Sequence, residues 1–305
     1  MRATLRDDVI LGIGDDAAVL QVPAGKQLVI ATDTINRGIH FPENTAPADI
    51  GWKALAVNLS DLAAMGAEPA WCTLSLSLPN GDLVWIDAFL DGFLELATLY
   101  DVALIGGDTT RGPLSVCVTV HGFVEPGRAL RRSGARIGDD VWVTGTLGDA
   151  TGALTQWRAG GEVDPGLRRR LDHPMPRLDA APSIATVAHA CIDISDGLLA
   201  DLQHVCDASG VGAEIELEAM PTSSALKDAF DAARRQALQA TGGDDYELCF
   251  TAPATARAAM AQIAQDTVTP LTRVGRIVSG QEVRALRADG SVWEVPSKGF
   301  EHFAY

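Results

Sequence analysis

Five short segments of this chain set aspartate beside glycine, serine or threonine after apolar, strand-like runs. They are Gly14-Asp15-Asp16, Ala31-Thr32-Asp33-Thr34, Gly106-Gly107-Asp108-Thr109-Thr110, Asp193-Ile194-Ser195-Asp196-Gly197 and Gly242-Gly243-Asp244-Asp245. In α/β proteins ligands bind at the carboxyl ends of strands, and carboxylates gathered there repel one another unless cations lie among them. Magnesium suits such a set, because it takes hard oxygen ligands and is held by a few carboxylates together with substrate phosphates. The spacing therefore predicts phosphate chemistry run through metal ions.

Each segment also has a plainer reading. Gly12-Ile13-Gly14-Asp15-Asp16 is equally a glycine-rich turn with solvated acids. Asp33 can cap a following turn, and the Gly106-Gly107 pair can be a structural turn as well as a place where backbone approaches phosphate. Asp61 is the sharpest case, since an acid on a nearly all-apolar helix needs a salt-bridge partner or a metal. Ser195 or Asp196 can serve as the cap of the helix that follows, and free amides at that helix start would attract phosphate.

The elements that must position these residues follow from periodicity. Strands are expected over residues 17–22 and 28–32, joined by the turn Pro23-Ala24-Gly25-Lys26, then a long buried helix over 47–65 that places Asn58 and Asp61 on one face. A strand over 71–78, an amphipathic helix over 83–100, a short strand over 102–105 and another over 114–124 complete a first domain, 1–136. The turn-rich, Arg-bearing stretch from Glu125 to Asp139 marks the boundary, near residue 137. The second domain, 137–305, is expected to carry strands over 140–144, 191–194, 213–217, 246–251, 271–278 and 283–286. Its helices are expected over 150–158, 166–171, 181–190, 198–209 and 253–265, the last with Pro253 in its first turn.

Composition bounds the function. The 305 residues suit two cores, and 47% hydrophobic with 21% charged residues is globular composition. A formal charge of −16 argues against nonspecific nucleic-acid or anionic-membrane partners, which need clustered Lys and Arg. The five cysteines lack C-x-x-C spacing and read as buried apolar residues of a reducing cytoplasm. No apolar stretch long enough to cross a membrane and no signal h-region is seen, so a soluble cytoplasmic protein is expected. The chain has no Walker-type loop, kinase catalytic loop, G-x-S-x-G or H-E-x-x-H, and His40, His121 and His204 stand apart from Cys and from each other.

Taken together, several blocks resemble the thiamine-monophosphate kinase family. They are Gly12-Ile13-Gly14-Asp15-Asp16-Ala17, Thr32-Asp33-Thr34, the run from Lys53 to Ala67, Ile105 to Gly112, Ile192 to Leu198, Asp245 to Phe250 and Lys298 to Phe303, in family order over nearly the whole chain. The resemblance implies the two-domain α/β (α+β) fold of aminoimidazole ribonucleotide synthetase, with the N-terminal domain pairing in a homodimer and a C-terminal α/β domain. It implies ATP and thiamine monophosphate as substrates, thiamine diphosphate and ADP as products, and several Mg²⁺ ions. Carried over by position, Asp16, Thr32, Asp33, Asp61, Asp108, Asp193 and Asp196 match metal-binding residues. Gly107, Asp108, Arg132 and Ser195 match ATP-binding residues, and His40, Asp244 and Ser297 fall at substrate-binding positions.

Three departures from the family pattern stand out. Asp244 replaces a substrate-contacting Glu and reaches one methylene less far, and Ser297 stands where relatives often have an aromatic residue. The family usually carries about one more helix before the first block, which leaves open a start upstream of Met1. Two other readings remain at this stage. Selenophosphate synthetase or a hydrogenase maturation dehydratase would share the superfamily, but the first normally has a reactive Cys or selenocysteine near its N-terminal glycines and the second ends in Cys. A catalytically silent nucleotide- or metal-binding protein is the other, against which the retained acid set weighs.

Overall fold

The computed structural model describes residues 6–294. These fall into two compact units that divide between Ala129 and Leu130, with Ala63–Gly66 grouped with the second. The position read from sequence was 136/137.

The first unit contains β1 (Val9–Leu11), β2 (Val19–Leu20), β3 (Gln27–Asn36), α1 (Pro47–Ala64), β4 (Glu68–Leu78), α2 (Leu83–Leu99), β5 (Ala103–Arg111) and β6 (Ser115–Val124). Four strands form a sheet in the order β3-β6-β4-β5, antiparallel except for the parallel β4–β5 pair. The β1 and β2 strands pair with each other, so the turn at residues 23–26 joins strands of different sheets. Residues 51–60 of α1 are all buried, as its lack of a polar stripe requires. Asp82 caps α2 by accepting from the amides of Val84 and Trp85, and Trp85, Phe89 and Phe93 stack at helical spacing along its inner face.

The second unit contains β7 (Asp139–Thr144), α3 (Asp149–Arg158), α4 (Pro165–Asp172), α5 (Ala181–Ile184), β8 (Ala190–Asp193), α6 (Leu198–Ser209), β9 (Gly212–Glu216), α7 (Ser224–Ala229), α8 (Ala232–Thr241), β10 (Leu248–Pro253), α9 (Arg257–Asp266), β11 (Leu271–Val278) and β12 (Val283–Leu286). Its six-stranded sheet runs β12-β9-β11-β7-β10-β8, and only β12–β9 is parallel. Every residue of the central β7 is buried, and Leu198, Leu202 and Val205 of α6 pack into a core with Val141, Val143, Ile192 and Ile215. Each such aliphatic side chain contributes roughly 1.5–3 kcal/mol on burial.

Four local expectations are corrected. The Gly106–Arg111 segment is not a turn after a short strand, because β5 continues through it, paired with β4 as far as Leu78–Arg111. Thr32 and Asp33 lie within β3, not at its end, since β6 pairs with the whole strand. Helix α5 stops at Ile184, and the residues beyond it turn into β8. Pro253 ends β10, and α9 begins at Arg257.

Candidate functional site

In the first unit the glycine-rich segment and the start of β5 face one cleft of about 560 Å³, lined by Gly12 to Ala18 and by Leu104 to Thr109. It brings Asp15, Asp16 and Asp108 to one place, and all three are exposed. The Asp15 carboxylate accepts from the Asp16 amide at 2.9 Å, which fixes the turn. A Cβ built on Gly107, whose φ is +149°, would overlap the Leu74 carbonyl oxygen. Only glycine lets β5 run against β4 while Asp108 stays at the cleft.

Asp33 and Asp61 are connected through Asn58. The fully buried Asn58 sits on α1, donates to the Ala54 carbonyl at 2.9 Å and accepts the Asp33 amide at 2.8 Å. It therefore ties the middle of β3 to the helix that carries the half-buried Asp61. Sequence reasoning noted the Asn58–Asp61 spacing but not this link, which depends on which strand lies over the helix. Thr32, one residue along the strand, points to the other face, where its hydroxyl meets that of Thr119 at 2.6 Å. His40 accepts the Asn36 amide on Nδ1 at 3.0 Å, which leaves the ring proton on Nε2 when the imidazole is neutral.

In the second unit Asp193 ends β8, and residues 194–197 form a tight loop into α6. The amides of Ser195, Asp196 and Gly197 all donate to Asp201 Oδ2, each at 3.0 Å. Asp201 thus reaches back from the first turn and takes the amides of the loop before α6, whose N-cap, Gly197, has no side-chain hydrogen bond, so neither Ser195 nor Asp196 caps the helix. Burial, reinforced by the charges of Asp193 and Asp196, pushes the Asp201 carboxyl up to about 7. Arg132 lies in a segment whose backbone is held by the Ser209 hydroxyl, and its side chain is exposed.

Asp244 and Tyr246 both have positive φ, 67° and 49°. Their loop is clipped to the 193–197 loop: Asp244 N donates to Ser195 O at 2.9 Å and Tyr246 N to Ile194 O at 2.8 Å. Beneath it lies a buried polar network that the sequence did not reveal. Glu247, fully buried, is ion-paired with Arg170 and Arg177 and accepts from the Thr144 hydroxyl at 2.6 Å. Burial alone would raise its carboxyl, but the two guanidiniums prevail and hold it below the usual range. Asp245 accepts the Gly148 amide on both oxygens, and burial pushes its carboxyl well above the ordinary value. Ser297 lies outside the described residues.

Among the described residues no three His, Cys, Asp or Glu side chains come together as a ready-made metal cage. The donors are nonetheless of the right kind. Exposed carboxylates at a cleft beside glycine-rich backbone suit a hard cation that completes its shell with water and phosphate oxygens.

Two family models match the chain: AIR synthase related protein, N-terminal domain, over residues 14–124, and the corresponding C-terminal domain over 136–287. Thiamine-monophosphate kinase of Escherichia coli (strain K12) is 45% identical over 98% of this chain and 94% of that protein. A crystal structure of thiamine-monophosphate kinase from Stenotrophomonas maltophilia K279a superposes with a TM-score of 0.90 at 52% identity, covering 94% of this chain and 93% of that one. A structure described as AaThiL complexed with AMPPCP and TMP superposes with a TM-score of 0.80 at 33% identity, covering 95% and 92%. With both domain models matched in order and near full-length identity of this size, the chain belongs to the thiamine-monophosphate kinase family of AIR synthase related proteins.

Proposed function

We propose that this protein transfers the γ-phosphoryl group of ATP directly to thiamine monophosphate, giving thiamine diphosphate and ADP. The observation that carries the reading is the end-to-end similarity to thiamine-monophosphate kinases together with the complete acid set of the motifs. The structure described with AMPPCP and TMP supports the same two substrates. An oxygen of the acceptor phosphate attacks the γ-phosphorus in line. That oxygen is already anionic near neutral pH, since a second phosphate pKa is about 6, so no side chain has to act as general base.

The chain's own contribution is binding and orientation. Asp16, Thr32, Asp33, Asp61, Asp108, Asp193 and Asp196 supply oxygens for Mg²⁺, which neutralises phosphate charge when bound. Gly107, Asp108, Arg132 and Ser195 hold ATP, Arg132 as a fixed cation. His40, Asp244 and Ser297 contact the acceptor.

A homodimer formed through residues 1–136 is part of the reading. It is supported by Leu28 and Ile30 on the edge strand β3, which are 41% and 57% exposed. Among the described residues no helix is long and apolar enough to cross a membrane, in keeping with a cytoplasmic site of action.

The test is incubation of the pure protein with ATP, Mg²⁺ and thiamine monophosphate, with thiamine as control, and chromatography of the products. Thiamine diphosphate formed from the monophosphate alone is the expected result; none formed refutes the reading. Asp61→Asn and Asp108→Asn should each lower turnover by orders of magnitude while the protein stays folded.

A further inference from the structure

The loop that carries Asp244 is held with more care than a surface turn requires. Two non-glycine residues in it, Asp244 and Tyr246, occupy the left-handed region, a conformation that persists only where surrounding contacts enforce it and that clusters at functional sites. The enforcing contacts are on both sides. The Thr151 hydroxyl donates to Gly243 O at 2.9 Å, Asp244 N donates to Ser195 O, and Tyr246 N donates to Ile194 O. A Cβ on Gly243 would overlap the Ser195 carbonyl oxygen, so the two loops touch backbone to backbone. The twist at 244–246 turns Tyr246 so that its phenol returns to Asp244 Oδ1 at 3.2 Å, while its ring lies buried with 8% exposure.

We propose that Tyr246 is a positioning residue for the acceptor substrate: its phenol fixes the rotamer of the Asp244 carboxylate, the group that meets thiamine monophosphate. The inference rests on the proposed function and deepens it. An aspartate has one fewer side-chain torsion than the glutamate expected at this position, so a hydrogen bond from a rigid, buried ring restricts a larger share of its freedom. Because Asp244 and Tyr246 are also bonded to the backbone of Ser195 and Ile194, the carboxylate is fixed relative to the loop that bears Asp193 and Asp196.

The test is Tyr246→Phe, which removes one oxygen and keeps the ring. In the full-length protein the KM for thiamine monophosphate should rise about tenfold, the factor expected for losing a hydrogen bond to a charged group, with kcat and the KM for ATP within about twofold. In an Asp244→Asn background the same change should have little further effect, since the phenol acts through that carboxylate. An unchanged KM for thiamine monophosphate, equal rises in both KM values, or additive effects in the double variant would each overturn the proposal. Failure of the wild-type protein to make thiamine diphosphate would instead strike the proposed function.

If Tyr246→Phe does not fold, ultraviolet titration of wild type and Asp244→Asn asks the same question. One tyrosine should ionise more readily when the neighbouring carboxylate is neutralised. Identical titration curves would overturn the proposal.

Discussion

Replacing Glu247 by Gln isolates what the buried charge network contributes. The side chain is fully buried, paired with Arg170 and Arg177 whose side chains are 22% and 17% exposed, and bonded to Thr144, whose hydroxyl in turn accepts the Leu248 amide. Gln keeps the shape but removes the anion that both guanidiniums share, although Arg170 keeps its longer pair with Asp149 at 3.9 Å, and sets an amide against one of them. Removing one partner of a buried pair costs about 3–5 kcal/mol. For a unit of this size 1 kcal/mol moves the melting temperature by roughly 2–4 °C, so a fall of about 6–20 °C is expected in calorimetry. Glu214→Gln is the control, because its partners Arg276 and Arg284 are 62% and 47% exposed, and the loss should be about 0–1 kcal/mol.

The pH dependence follows from the depressed carboxyl of Glu247. A group whose folded pKa lies below its unfolded value of about 4.3 contributes stability above that pH and loses it as pH falls through the folded value. The penalty of Glu247→Gln should therefore be full near neutrality and shrink in acid. A penalty no larger than that of Glu214→Gln, or one that grows on acidification, refutes this account of the network.

Three further outcomes are expected. Asp245→Asn should gain on its parent as pH rises above about 3.9, because a carboxyl raised in the folded state contributes stability that is lost as pH climbs through the folded pKa, and Asn has no proton to lose; urea unfolding at pH 5 and pH 8 measures this, and a constant difference would refute it. Asn58→Ala should destabilise by about 1–3 kcal/mol by stranding the Asp33 amide, as read by denaturant unfolding; a change within a few tenths would mean that water replaces the side chain. Gly107→Ala should prise β5 from β4 at the cleft and weaken binding of an ATP analogue more than it lowers the melting temperature of the whole protein; tight binding in calorimetric titration would count against the close-packed strand pair.

Local chemistry was legible from sequence. The aspartate segments, the bounds of α6, β11 and β12 and the burial of α1 follow from residue type and periodicity, which act over a few residues. What the sequence left open were events between distant segments. The Gly106–Arg111 stretch reads as a turn because glycine pairs usually make turns, yet pairing with β4 draws it into a strand. Asp201 reads as one more polar residue on an amphipathic helix, and only the folded loop shows that it takes three amides otherwise open to phosphate. Glu247, Arg170 and Arg177 are ordinary charges until three separated elements bury them together. Residue types and their spacing determined which candidate donors for metal and phosphate this chain carries; tertiary structure decided how they are placed, because hydrogen bonds and ion pairs across the fold commit some donors and acceptors and leave others at the cleft.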